Sequence, residues 1–524
     1  MKRSELLSRL SADSVWDVVI IGGGATGLGI AVDAAVRGLS VALVESEDFA
    51  KGTSSRATKL VHGGVRYLAQ GNFGLVREAL RERAILFRNA PHLVQPLPFL
   101  LPVYGARGKW LEKWFYGSGL VLYDLLAGRS GHGSTEFLDP AAARSRAVGL
   151  QAKGLAGAVG YWDGQFDDAR LAVALARTAI AQGATVVNHC TAVGLLHSGE
   201  RVGGVVVEDR ETLQRQELKT RCVVNATGVW VDAVRRMDRA ASGDMVAPSQ
   251  GVHVVVDREF LPGRHAILIP RTRDGRVLFA VPWLGKTILG TTDTPCSNLA
   301  AEPEPFREEV EFILGEAARY LAKAPSPSDI RSLWVGLRPL VKRPDKDTDD
   351  TKTLSREHTV RVERSGLVTV TGGKWTTYRA MAEDVLACCI EHGLLPDCQA
   401  GATTMLPLVG APAHAEHSLT EPPGLHLYGT EAPIVQALPG ADREIAPGLS
   451  EAMVRFAARF EYARTVEDVL ARRTRWLFLD ARLAMSAADR VAGILSEELG
   501  GGFNAGASAS AFRALAAQYL RIPQ

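Results

Sequence analysis

Residues 16–45 constrain this chain more than any other stretch. Trp16–Ile21, WDVVII, is a short apolar run that reads as a buried strand. It leads into Gly22, Gly23, Gly24, Ala25, Thr26 and Gly27, and then into an alanine-rich helix that ends near Gly38. A second strand, Ser40–Val44, closes on Glu45. An isolated G-x-G-x-x-G is weak, but strand, glycines, helix and acid in this order form a dinucleotide site. The glycines permit the tight turn and bring N–H groups at a helix start up to a pyrophosphate. Glu45 is placed to accept hydrogen bonds from an adenosine ribose.

Composition limits what surrounds this unit. A length of 524 residues suggests three or four structural units, and 46% hydrophobic content excludes a wholly disordered chain. Sixty basic against 58 acidic residues leave +2, so nucleic-acid binding would need a local basic stripe, and none is expected. The six cysteines, Cys190, Cys222, Cys296, Cys388, Cys389 and Cys398, contain no C-x-x-C pair and point to a reducing compartment. No apolar run reaches the roughly 18 residues that span a bilayer. Glu5, Arg9 and Asp13 stand where a signal peptide would need its apolar core.

Further along, helices are predicted over Leu75–Arg88 and Asp168–Gln182, and strands at Thr185–Val187, Arg201–Val207 and Arg221–Ala226. Val252–Val256, Ala266–Ile269, Val277–Val281 and Thr287–Leu289 read as an antiparallel sheet. Residues 401–447 hold seven prolines and read as an irregular linker. Beyond Ser450 the chain is helical, with helix starts at Thr465/Asp468 and Ser486/Asp489 and a stop at Gly500. The run 342–352 reads as a solvated mixed-charge loop rather than a metal site.

Only one G-x-G-x-x-G occurs, which suits a flavin better than a flavin–nicotinamide pair. Ala226, Thr227 and Gly228, and Thr371, Gly372 and Gly373, are small residues at strand ends, suited to packing against a flat cofactor. The second group also starts a helix, whose positive end favours negative charge on a reduced ring. With these go GTSSRATKLVHGGVRYL, VVNATGVW, SQGVHVVVD, LGTTDT, GLRPLV, VTGGKWTTYR and ARRTRWLFLDA. In this order and spacing, from about Trp16 to Leu483, the sequence resembles the FAD-dependent, quinone-linked glycerol-3-phosphate dehydrogenases.

The resemblance implies an α/β fold: an FAD-binding, glutathione-reductase-like Rossmann domain (roughly 15–90, 150–245 and 335–395). It implies an inserted antiparallel-sheet substrate domain (91–149 and 246–334) and a C-terminal helical domain (400–524). It implies that Thr53, Ser54, Thr58, Lys59, Leu60, His62 and Gly63 pass along FAD. Ala226 and Gly228 back the cofactor, and Gly372, Lys374 and Thr376 lie near its ring. Arg66, His253, Arg338, Arg356 and Lys374 face the substrate, glycerol 3-phosphate. Cationic donors suit a phosphomonoester. Alcohol oxidation needs a proton acceptor, for which His253 is the first choice and His62 the second. Electrons are expected to pass to a quinone, which places the protein in the cytoplasm, peripheral to the inner face of the membrane. Residues 107–126 carry Arg107, Lys109 and Lys113 beside Trp110, Trp114, Phe115 and Tyr116, a pattern suited to an interfacial helix. A glycerophosphate oxidase, and a cofactor-free binding scaffold, are the alternatives. Oligomeric state, a homodimer included, is not legible in the residues.

Overall fold

The computed structural model describes residues 3–10, 14–64, 68, 71–105, 110–128, 131–342 and 358–523, and the side chains of 110–115 lie outside the description. Arg66, Arg356 and 343–352 therefore fall outside the described residues. The opening unit forms as the sequence predicts: strand Trp16–Ile21, helix Ala25–Val36 and strand Val41–Val44. Trp16–Ile21 is apolar because it lies inside an eight-stranded sheet, between Arg215–Asn225 and Val41–Val44.

In that sheet Trp16–Ile21, Val41–Val44, Thr185–Val187, Arg215–Asn225 and Val368–Gly372 run parallel to one another. The register sets Ile21 beside Asn225 and Val44, and Asn225 beside Thr369. Four segments far apart in sequence therefore end at one edge: Gly22, Glu45, Ala226 and Gly372 each close or follow one of these strands. Carboxyl ends of parallel strands are where such sheets bind ligands. Helices Ala25–Val36, Asp168–Ala181 and Tyr378–Glu391 share one core with the sheet.

A ten-stranded, mostly antiparallel sheet forms the second unit. Strand Val246–Asp257 alternates cleanly. Val252, Val254 and Val256 pack with helix Arg307–Tyr320, while Val255 joins the C-terminal helices. Its antiparallel partner Ser332–Val341 pairs Ser249 with Arg338, Gly251 with Gly336 and His253 with Trp334. Directly paired residues share a sheet face, so His253, Trp334 and Arg338 lie on one face with two glycines between them. A Cβ at Gly251 would meet the Arg338 Nη2 at 2.7 Å, and one at Gly336 would meet the Arg56 carbonyl oxygen at 2.7 Å. The bare floor is what admits the arginine and the 52–58 loop.

The structure differs from the sequence reading in several places. Leu155–Phe166 and Ser332–Val341, assigned mainly to the cofactor domain, are strands of the second sheet. Long pairing along Val94–Tyr104 and Val246–Asp257 places them there. Residues 401–447 are irregular but are not a mere linker, since Leu419, Leu427, Tyr428 and Val435 are buried with the C-terminal helices. Ser486 and Asp489 lie within helix Ala481–Leu499, whose start is capped by Asp480 accepting from Leu483 N. Thr465 and Asp468 do cap one another's turn, and Gly500 ends its helix at φ +77°.

The C-terminal unit is bolted to the first by buried ion pairs. Arg472 and Arg473 both reach Asp48, and Arg170 reaches Glu461 at 2.8 Å. Among the described residues no helix is long and apolar enough to cross a membrane.

Candidate active site

A cavity of about 1690 Å³ runs from the fingerprint turn to the His253–Arg338 face. Single-ligand pockets measure about 300–1,000 Å³, so this one has room for a cofactor and a second molecule together. Gly22, Gly24, Ala25, Thr26, Glu45, Thr53, Ser54, Thr58, Leu60, His62, Ala226, Gly228, Gly372, Lys374 and Thr376 line it, as do His253 and Arg338.

Three glycines of the fingerprint do different work. A Cβ at Gly27 would sit 1.9 Å from the Gly22 carbonyl oxygen, and one at Gly22, where φ is +112°, would sit 2.7 Å from that of Ala226. These two let the backbone pack on itself. Gly24 has φ −81°, and a Cβ there would meet only the Ser54 hydroxyl, at 3.1 Å. Gly24 therefore keeps the cavity floor open rather than the chain folded. Gly23 and Gly27 lie behind the wall. Gly23 N donates to Glu45 Oε2 at 2.6 Å, and Glu47 N donates to Oε1 at 2.9 Å. Burial raises the Glu45 carboxyl above its usual range, opposed by those two N–H groups.

The 52–58 loop is pinned from three sides. Ala25 N donates to Ser54 Oγ at 3.0 Å, Trp375 Nε1 donates to Ser54 O at 2.9 Å, and Thr53 Oγ1 donates to Leu337 O at 2.6 Å. The His62 N–H donates to Thr376 Oγ1 at 3.2 Å, tying the following strand to the 372–376 turn. Gly228 takes φ +62° with open space where a Cβ would project. A flat ring system with a pyrophosphate tail fits this cradle.

On the facing wall His253 is 3% exposed. Its Nε2 lies 2.9 Å from Thr58 Oγ1, its Nδ1 is buried with no hydrogen-bond partner among the described residues, and its ring stacks on Trp334 at 5.2 Å and 15°. Burial first, then the charges of Lys59 and Arg338, hold this imidazole well below its ordinary value, so it is neutral. Arg338 donates to Asp293 Oδ1 and to Thr292 O, both at 3.0 Å. Asp293 also accepts from Ser249 Oγ. Arg276 lines the same cavity and donates to Asp293 O at 2.9 Å. The sequence reading passed over it; its only signal was a basic residue in a turn between two predicted strands.

Two residues expected along the cofactor are turned away from it. Lys59 is fully buried beneath the wall, and Gly63 lies behind it, where its N–H donates to Tyr123 Oη at 2.8 Å.

Comparison with known proteins agrees with this architecture. Residues 17–383 match the family described as FAD dependent oxidoreductase, and 402–502 match the C-terminal domain of alpha-glycerophosphate oxidase. The chain is 39% identical to a mitochondrial glycerol-3-phosphate dehydrogenase of Arabidopsis thaliana, over 95% of this chain and 85% of that protein. Against the mitochondrial enzyme of Homo sapiens it is 39% identical, over 95% and 72%. Among solved structures, the glycerol-3-phosphate dehydrogenase from Bacillus halodurans complexed with FAD superposes with a TM-score of 0.78 at 28% identity, covering 100% of this chain and 98% of that one. A fold with these strand ends, a cradle that fits FAD and relatives this similar over nearly the whole length lead to one assignment: the chain belongs to the FAD-dependent glycerol-3-phosphate dehydrogenases.

Proposed function

We propose that this enzyme oxidises sn-glycerol 3-phosphate to dihydroxyacetone phosphate and passes the electrons to a membrane quinone. The observation that carries the reading is a continuous cavity that joins the cofactor cradle to a face bearing a neutral histidine and cations. Bound FAD supplies the hydride acceptor. Gly22, Gly24, Ser54, Glu45 and Gly228 hold it along the strand ends. Arg338 and Lys374 bind the phosphate from the cavity wall, with Asp293 fixing the guanidinium. His253, which lines the cavity and meets Thr58 through Nε2, takes the hydroxyl proton.

Removing a desolvated phosphate partner costs about 2–5 kcal/mol. Arg338→Ala therefore lowers kcat/KM for glycerol 3-phosphate by about 30-fold to several thousandfold. Glycerol, which lacks the phosphate, loses far less. Equal losses for both substrates in steady-state assays would make Arg338 structural.

Helix Trp110–Ala127 supports contact with a bilayer. Leu120, Tyr123 and Ala127 are buried, while Val121, Leu122 and Leu125 are exposed, Leu125 by 71%. Tyr116, Gly119 and Leu122 of this helix also line the cavity, so the exposed apolar stripe is continuous with the site. This is the geometry that a peripheral enzyme exchanging electrons with a bilayer-dissolved acceptor requires. Each apolar side chain so buried is worth about 1.5–3 kcal/mol. Val121→Ser with Leu125→Ser should lower co-sedimentation with anionic liposomes by about tenfold or more and slow quinone reduction, leaving activity with a soluble dye intact. Unchanged liposome binding would place the membrane face elsewhere.

An oxygen-reducing reading draws support from the match of 402–502 to a glycerophosphate oxidase domain. Peroxide release during turnover, with and without quinone, decides between them: an oxidase releases one peroxide per substrate regardless of quinone.

A further inference from the structure

Lys59 belongs to a motif whose neighbours Thr58 and Leu60 line the cavity, yet its own side chain is fully buried away from it. It takes φ +64°, a region that residues with a Cβ seldom adopt. Its Nζ donates to Ser55 O and to Asp168 Oδ2, each at 2.7 Å. Three rings box it in: Trp283 at 5.3 Å, and Trp334 and Phe478 at 5.2 Å. Asp168 does not depend on this lysine for charge balance. Arg475 Nη2 donates to its Oδ1 at 3.0 Å, and the N–H groups of Ala57 and Ala169 also donate to it. Burying a second cation beside Arg475 carries its own desolvation cost, so the ion pair alone does not account for a lysine here.

Trp334 connects Lys59 to the chemistry. The ammonium lies over its ring, and the His253 imidazole stacks on the same indole. Two groups each about 5 Å from one ring centre are no more than about 10 Å apart, in an interior that screens charge poorly. The backbone reinforces the link, because Thr58, the preceding residue, places its hydroxyl 2.9 Å from His253 Nε2. The charged groups acting on His253 are Lys59 and Arg338, and those acting on Lys59 include Asp168, Arg475 and Asp167.

We infer that Lys59 is a positioning residue for proton transfer: its ammonium, seated on Trp334, keeps His253 in the neutral form that accepts the substrate's proton, while its backbone bend holds Thr58 against Nε2. The inference rests on the reading of His253 as proton acceptor. Burial lowers Lys59 to about 7, with Asp168 opposing. Lysine is thus charged at the acidic pH where an imidazole would otherwise protonate, which is where the repulsion is needed. Substrate sharpens the arrangement. A phosphate dianion at Arg338 offsets that cation and makes His253 more basic only once substrate is present, whereas Lys59, sealed from the cavity, keeps the free enzyme's imidazole unprotonated.

The test follows His253 directly, by NMR of ¹⁵N-histidine-labelled holoenzyme titrated from about pH 4 to 9. Its resonance is identified by its loss in His253→Asn. Anaerobic stopped-flow reduction by glycerol 3-phosphate is measured over the same range. Lys59→Met should move the His253 titration upward by about half a unit to one unit and shift the acid limb of the reduction rate with it. Lys59→Arg, which keeps the charge, should leave both near wild type. Lys59→Met with Asp168→Asn is a second, charge-balanced variant if the single change does not fold, and a smaller upward shift is expected because the anion leaves with its cation. A His253 titration and acid limb unmoved in the folded Met variant overturn the inference and leave Lys59 a packing residue. Failure of the underlying reading looks different: His253→Asn would then reduce flavin at close to the wild-type rate, whatever Lys59 does.

Discussion

Gly24→Val should purify folded and colourless. The backbone at residue 24 has φ −81° and ψ −177°, extended values that valine accepts, and a Cβ there meets only the Ser54 hydroxyl. The protein therefore tolerates the side chain, but the pyrophosphate approach does not, because the branched methyls occupy the floor over which the phosphates must pass. Gly27→Ala makes the contrast: its Cβ would sit 1.9 Å from the Gly22 carbonyl oxygen, so it should lower thermal stability as well as flavin content. Flavin absorbance per protein, read beside a melting curve, separates the two effects. Full flavin occupancy in folded Gly24→Val would falsify the placement of the cofactor on this turn.

His253→Ala should slow flavin reduction by about 10²- to 10⁴-fold, the usual contribution of a positioned base. Single-turnover stopped flow isolates that step from reoxidation. The loss should be nearly the same at pH about 6 and about 8, because the wild-type imidazole is held neutral below its ordinary range by burial and by the cations nearby. Cofactor content should be normal, since His253 lies on the second sheet and not on the strand ends that cradle the dinucleotide. A decrease smaller than tenfold would move the role to His62, the other histidine lining the cavity.

What the sequence determined by itself was local. Trp16–Ile21, the glycine turn, the helix and Glu45 are contiguous, and their chemistry follows from residue type and spacing alone. The strand-end motifs at 226–228 and 371–373 were legible for the same reason, whereas His253, Arg338 and Lys374 were candidates through the family resemblance carried by SQGVHVVVD, GLRPLV and VTGGKWTTYR.

Tertiary structure decided how these pieces meet. The four strand ends form one cradle because parallel pairing aligns Ile21 with Asn225 and Val44, and Asn225 with Thr369, across some three hundred and fifty residues of chain. His253 shares a face with Arg338 only because antiparallel register pairs it with Trp334. The assignment of Leu155–Phe166 and Ser332–Val341 to the second sheet is equally non-local. Lys59 leaves the cavity although its neighbours line it, since its positive φ and a prebuilt site of Asp168 and three rings draw it inward. Arg472, Arg473 and Arg475 are hidden from any hydrophobic pattern for the same physical reason: a buried charge depends on partners that other segments supply, here Asp48 and Asp168.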